Sequence, residues 1–209
     1  MEKKCPAYQT IEKESRAELV IERSRFIAHS FPVKRVEEAR NQIGALRLLY
    51  PDATHCCYAW RLGSDPVLEF ATDAGEPRGT AGRPILGAIR HRDLTNLLIA
   101  VNRYYGGKKL GVRGLINAYG QAAQLVLESS GVVEREIQVE FLLQSSPVHF
   151  QVMVNQLIGF CRGKKGIEIH PDRGEIRFRL PLQRLEEALG YLELKQRDGI
   201  ILSWKRGDE

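Results

Sequence analysis

The sequence predicts an α+β protein built from two domains. Three observations lead there. Short apolar stretches with the two-residue period of strands are interleaved with longer stretches of helical period. The order of elements changes from ββαββαβα to βαββαβ near "VVEREIQVE", which places the domains at 1–135 and 136–209. The positive charge also stops there: residues 136–209 are neutral, and the whole excess of +5 lies in front of them.

In the first domain, "AELVIE" (17–22) and "RFIAHSF" (25–31) read as two strands either side of a short turn. "KRVEEARNQIGALRLLY" carries Val36, Ala39, Ile43, Leu46 and Leu49 on one helical face, and Pro51 stops it. "HCCYAWRL" (55–62) and "VLEFAT" (67–72) form a hairpin with "GSDP" as its turn. "TAGRPILGAIRHR" reads as a helix and "LTNLLIAVNRYY" as a buried strand. "GLINAYGQAAQLVLESSG" is a helix closed by Gly131. These elements predict a mixed sheet with its helices packed on one side.

The second domain opens with the strand "IQVEFLLQS" and the helix "PVHFQVMVNQLIGF", begun by Pro147 at an early helical position. Two strands flank the turn "PDRG", and the helix "QRLEEALGYLELK" and strand "GIILSWK" complete the chain. The order βαββαβ is the split βαβ, or ferredoxin-like, pattern.

Composition excludes several classes. With 43% apolar and 27% charged residues the 209-residue chain is ordinary for a globular protein. No apolar run approaches the ~20 residues needed to span a bilayer, so no membrane role is expected. The lysine-bearing N-terminus lacks the apolar core of a secretory signal. Cys5, Cys56, Cys57 and Cys161 show no C-x-x-C spacing, which fits a reduced, cytoplasmic protein.

The candidate chemistry lies in two loops. Between residues 78 and 113 stand Arg78, Arg83, Arg90, Arg92, Arg103, Lys108, Lys109 and Arg113 against the single acid Asp93. Such local enrichment suggests an anionic partner, unless acids from other segments neutralise it. In "NRYYGGKKLGVRGL", Gly106 and Gly111 have the separation of a phosphate-hydrolysing loop, but Val112 and Arg113 stand where that loop needs lysine and a hydroxyl. No G-x-G-x-x-G occurs either. What remains is an anion cradle. Gly106, Gly107 and Gly111 allow close backbone approach, a helix N-terminus adds partial charge, and Lys108, Lys109 and Arg113 add full charges. Tyr104 and Tyr105 are placed to stack on bases, one of them facing the core instead.

The other loop, "TDAGEPRGTAGRP" (72–84), sets Asp73 and Glu76 among glycines and prolines. Two carboxylates suit acid–base or metal chemistry. Without a histidine or third carboxylate beside them, the pattern favours capping of backbone N–H groups or pairing with arginines. Thr80 is a candidate cap for the helix that follows. His55 and Cys57 share one strand face with Cys56 on the other, too few ligands for zinc. Ser145 and Ser146 lack a histidine in a nucleophile context. No metal and no cofactor are called for.

At this point the chain resembles a family. "DAGEPRGTAGRPIL", which holds Asp73, Gly75, Glu76, Pro77, Gly79 and Thr80, is similar to a DGEPxGTAGxP run of the IMPACT/YigZ family. "RYYGGKKLGVRGLINAY" is similar to its R-Y-[FY]-G-G-x-x-L-G-x-G-G-L run, and "ERSRFIAH" and "DATHCCYAW" match earlier segments. Two positions depart: Cys56 where the family often has a second histidine, and Arg113 where it often has glycine. The resemblance implies an N-terminal domain like the second domain of ribosomal protein S-five. It also implies a C-terminal domain like a late domain of elongation factor G. Eukaryotic relatives regulate translation by competing for the activator of a stress-responsive kinase.

Residues and resemblance together predict a non-catalytic regulator associated with translation, binding RNA or a phosphate-rich ribosomal surface. Arg78, Arg83, Arg103, Lys108, Lys109 and Arg113 are the expected phosphate contacts. A phosphate-binding hydrolase or transferase using Asp73 and Glu76, and a protein-binding module, remain as alternatives.

Overall fold

The computed structural model describes residues 6–64 and 66–207. Cys5, and Asp65 of the expected "GSDP" turn, lie outside them. The chain divides into two compact units: Tyr8–Arg135, and residues 136–207 together with 6–7. In the first, the elements are β1 (Ala7–Ile11), β2 (Ser15–Ile21), β3 (Ser24–Pro32), α1 (Val36–Leu49), β4 (His55–Leu62), β5 (Leu68–Thr72), α2 (Gly82–His91), β6 (Leu97–Tyr104), α3 (Gly111–Ser130) and β7 (Val132–Glu136). In the second they are β8 (Gln138–Ser145), α4 (Phe150–Phe160), β9 (Ile167–His170), β10 (Glu175–Pro181), α5 (Leu185–Arg197) and β11 (Ile201–Arg206).

The main sheet has the order β2-β3-β6-β4-β5. Every neighbouring pair in it is antiparallel, not mixed as expected. The reason is topological: two hairpins, β2–β3 and β4–β5, receive β6 between them. Nor do the helices share one side. On one face α2 and α3 cover Phe26, Ala28, Cys57, Ala59, Leu97, Ile99 and Val101. On the other, α1 lays Ala39, Ile43 and Leu46 over Phe31, Trp60, Leu62, Leu98 and Ala100. Burial on both faces is why β6 reads as an unbroken apolar run. α1 carries Glu37 and Glu38 in its first turn and Arg47 in its last, which suits the helix dipole.

β1 and β7 form a separate two-stranded sheet that the sequence does not announce. In the second unit the order is β11-β8-β10-β9. β8 buries Val139, Phe141, Leu143 and Ser145 in strict alternation, and α4 and α5 pack on that face. Pro147 lies ahead of α4, whose N-cap is His149, so it belongs to the preceding turn and not to the helix. No helix among the described residues is long and apolar enough to cross a membrane.

Candidate functional site

The loop that joins β5 to α2 is closed by one carboxylate. Asp73 Oδ2 accepts the N–H of Gly79 at 2.7 Å, and its Oδ1 accepts those of Ala81 and Gly82 at 2.9 Å each. The cap of α2 is therefore Asp73 and not Thr80, whose hydroxyl turns back to donate to the Pro77 carbonyl at 2.7 Å. Burial raises the Asp73 pKa, but the three N–H donors and the Arg83 charge outweigh it, so the carboxyl sits below its ordinary value. An anion so held has no proton to give at neutral pH. Gly82 is required by space: a Cβ there would lie 2.7 Å from the Thr72 backbone nitrogen.

Glu76, the second carboxylate, points inward. Its Oε1 accepts from Arg103 at 2.6 Å and from the Tyr119 hydroxyl at 2.8 Å. The side chains of Arg103 and Glu76 are only 6% and 3% exposed. Arg103 comes from the end of β6, Glu76 from the first loop and Tyr119 from α3, so this pair ties both motif loops to the core. Arg103 is thus removed from the expected surface contacts: its charge is spent inside the fold. Cys57 completes the network, its thiol 2.9 Å from the Asp73 carbonyl and 3.4 Å from the Tyr119 hydroxyl. Burial pushes the Cys57 thiol up to about 12, which leaves it unreactive, and raises Tyr119 as well.

The second loop is fastened to the β2–β3 turn. Gly106 N–H donates to Ser24 Oγ at 3.2 Å, and a Cβ on Gly106 would lie 2.0 Å from the Arg23 carbonyl carbon. Gly106 therefore admits the protein's own backbone and not a ligand, a correction to its expected role. Gly107 and Gly111 face open space. Tyr105 is the exposed aromatic, whereas Tyr104 is half-buried with the Arg25 guanidinium over its ring. Neither helix has an acid in its first turn, but the N-terminus of α3 has no side-chain cap, whereas Asp73 accepts the N–H groups that open α2.

The remaining cations separate into two groups. Acids from other elements neutralise Arg90 (Glu69), Arg92 (Glu128) and, at the surface, Lys108 (Glu22). Arg78, Arg83, Lys109 and Arg113 are exposed and form no ion pair with the described residues. α2 and α3 run in the same direction, because Pro84 packs at Gly120 and Arg92 pairs with Glu128 further along both helices. Both N-termini consequently point to one end of the unit. α3 projects about two turns beyond α2 there.

The other candidates do not assemble. His55 Nδ1 meets the Ala74 carbonyl at 3.1 Å, and Cys56, Cys57 and Cys161 are free. Among the described residues no three His, Cys, Asp or Glu side chains gather as a metal site. Ser146 does find a histidine, His149 Nδ1 at 3.0 Å, which the sequence reading missed; the i, i+3 spacing is that of a turn, and among the described residues no carboxylate backs the ring. The sequence reading allowed Glu76 to pair with an arginine but did not identify Arg103 and Tyr119 as its partners, although a cation ending an apolar strand was the signal.

The sequence model of the Impact N-terminal domain matches residues 22–127. The IMPACT family member YvyE of Bacillus subtilis is 41% identical over 131 residues, 63% of this chain and 60% of YvyE. The IMPACT family member YigZ of Escherichia coli is 35% identical over 147 residues, 69% of this chain and 71% of YigZ. A crystal structure of a hypothetical protein superposes with a TM-score of 0.69 at 28% identity, covering 96% of both chains. The two-domain translational regulator Yih1 overlaps 59% of this chain at 23% identity, with a TM-score of 0.37 that carries no argument. Since the domain match includes both motif loops and YigZ aligns over most of its length, this chain belongs to the IMPACT family.

Proposed function

We propose that this protein is a translation-associated regulator whose N-terminal unit docks on RNA, or on a phosphate-rich surface of the ribosome, without catalysing a reaction. In this reading that unit is like the second domain of ribosomal protein S-five, the C-terminal unit is ferredoxin-like, and the protein works in the cytoplasm. The observation that carries the proposal is the set of exposed cations Arg78, Arg83, Lys109 and Arg113, which form no ion pair with the described residues, at the end where α2 and α3 begin. Lys108 joins them, because its surface pair with Glu22 is worth only about 0–1 kcal/mol and a phosphate competes for it readily. The uncapped N-terminus of α3 adds partial positive charge, and Gly107 and Gly111 leave its backbone accessible.

The enzyme reading loses its acids: Asp73 caps a helix and Glu76 is locked to Arg103. Recovery of bound partners from cell extract, with and without nuclease, separates RNA docking from a protein-binding module. Partners that survive nuclease while purified RNA fails to bind overturn the proposal. With purified RNA, the Lys108→Ala/Lys109→Ala variant is expected to bind more weakly and to flatten the slope of log K against log salt by about 1 to 2. An unchanged titration places the contact elsewhere.

A further inference from the structure

The exposed side of the α2–α3 packing is a cleft of about 300 Å³. Its floor includes Gly87 and Gly120, and its walls carry Asn117, Gln121, Gln124 and His91. Among the described residues, no Asp, Glu, Lys or Arg lines it. Asn117, Gln121 and Gln124 fall at i, i+4 and i+7, so their amides follow one another along one face of α3. Each amide offers both donors and an acceptor. At the start of the cleft, Arg83 immediately precedes Pro84 in its α2 wall, and Arg113 sits one turn before Asn117 on α3.

We propose that this cleft receives the bases of a single-stranded RNA whose phosphates lie on the neighbouring cations. The inference rests on the docking function proposed above and names the class of RNA. The argument is one of charge and shape. An uncharged cleft, in which Pro84, Ala88 and Ile116 lie beside the three amides, adjoins a cationic end. It so has the division that a nucleotide has, with a base of apolar faces and hydrogen-bonding edges beside an anionic phosphate. A duplex keeps its base edges inside grooves, and reading them requires a protruding helix or ribbon. A concave cleft does the reverse: it accepts a base that protrudes, as the splayed bases of single strands do. A volume near 300 Å³ lies at the small end of ligand pockets, suited to one or two bases and not to a folded element. His91 supplies a ring on which a base can stack.

Gly87 provides the test, since a Cβ there meets nothing within 4 Å and a larger side chain fills the cleft without disturbing the core. Labelled 12-nucleotide oligo(A) and oligo(U) and a 12-base-pair RNA duplex are titrated against the wild-type protein and Gly87→Leu across a salt series. Circular dichroism and Asn117→Ala/Gln121→Ala serve as a fold check and a second variant. The wild type is expected to bind a single strand at least about tenfold more tightly than the duplex. Gly87→Leu is expected to lose that preference while keeping its salt slope, because the phosphate contacts are untouched. The double amide variant is expected to narrow any difference between oligo(A) and oligo(U). Equal wild-type affinity for duplex and single strand, or a preference that survives Gly87→Leu, overturns the cleft proposal and leaves phosphate docking standing. Failure of the folded wild type to bind any of the three RNAs overturns both.

Discussion

Arg103 and Glu76 stand 27 positions apart and meet inside the fold, where each is the other's only formal counter-charge within ion-pair distance among the described residues. Removing one member of such a pair leaves a charge stranded in a dry interior, which typically costs about 3–5 kcal/mol. Arg103→Met is expected to lower unfolding stability by that amount in urea; a loss below about 1 kcal/mol contradicts a buried pair. Asp73 gives a pH signature of its own. Its folded pKa lies below its unfolded value, so its contribution is complete above the ordinary value of 3.8 and fades as pH falls through the folded one. Wild-type stability is therefore expected to drop on acidification below about pH 4 more steeply than that of Asp73→Asn, measured as urea midpoints. Parallel profiles would show that the carboxylate is not held by the Gly79, Ala81 and Gly82 amides. The sequence reading anticipated that these acids cap or pair, because no third ligand stood near. It misplaced Arg103, since sequence spacing does not reveal an acid that arrives from another loop.

Among elements, those with sustained periodicity were legible. Ala39, Ile43 and Leu46 mark α1, and the alternation of β8 marks its buried face. β1 and β7 were not legible: "AYQTI" and "VVERE" are five residues each and neither alternates apolar with polar residues along its length, so they read as lead-in and domain boundary. Sheet order was not legible either, because β6 is buried on both sides and its alternation is erased. The glycines of α2 behave oppositely, which tests how this helix is seated. Gly82→Ala forces a Cβ against the Thr72 backbone and is expected to cost about 1–3 kcal/mol. Gly87→Ala meets open space and is expected to stabilise by about 0.5–1 kcal/mol through helix propensity. Equal effects on thermal midpoints would mean that α2 does not start against β5.

Across the whole molecule, charge is divided between the units by chemistry as well as by count. In the C-terminal unit, Arg177 and Arg179 of β10 pair with Glu140 and Glu168 on the same sheet face, so that face shows little uncompensated charge. Of its four phenylalanines, Phe141 and Phe178 stack on each other in the core, and the half-buried Phe160 stacks on Tyr191. Arg177→Ala/Arg179→Ala is therefore expected to leave RNA affinity within about twofold, because exposed paired charges contribute little. The basic window between residues 78 and 113 was read correctly as uneven charge, yet the fold splits it, pairing Arg90, Arg92, Arg103 and Lys108 with acids and leaving four side chains free of ion pairs with the described residues.

Those four carry the central claim. The decisive measurement is the salt dependence of single-stranded RNA binding for the wild type and for Arg78→Ala/Arg83→Ala/Lys109→Ala/Arg113→Ala. If the four side chains engage phosphates together, the slope of log K against log salt falls by about 3 and affinity drops steeply at low salt. An identical slope in a folded variant would mean that these cations do not form the docking surface.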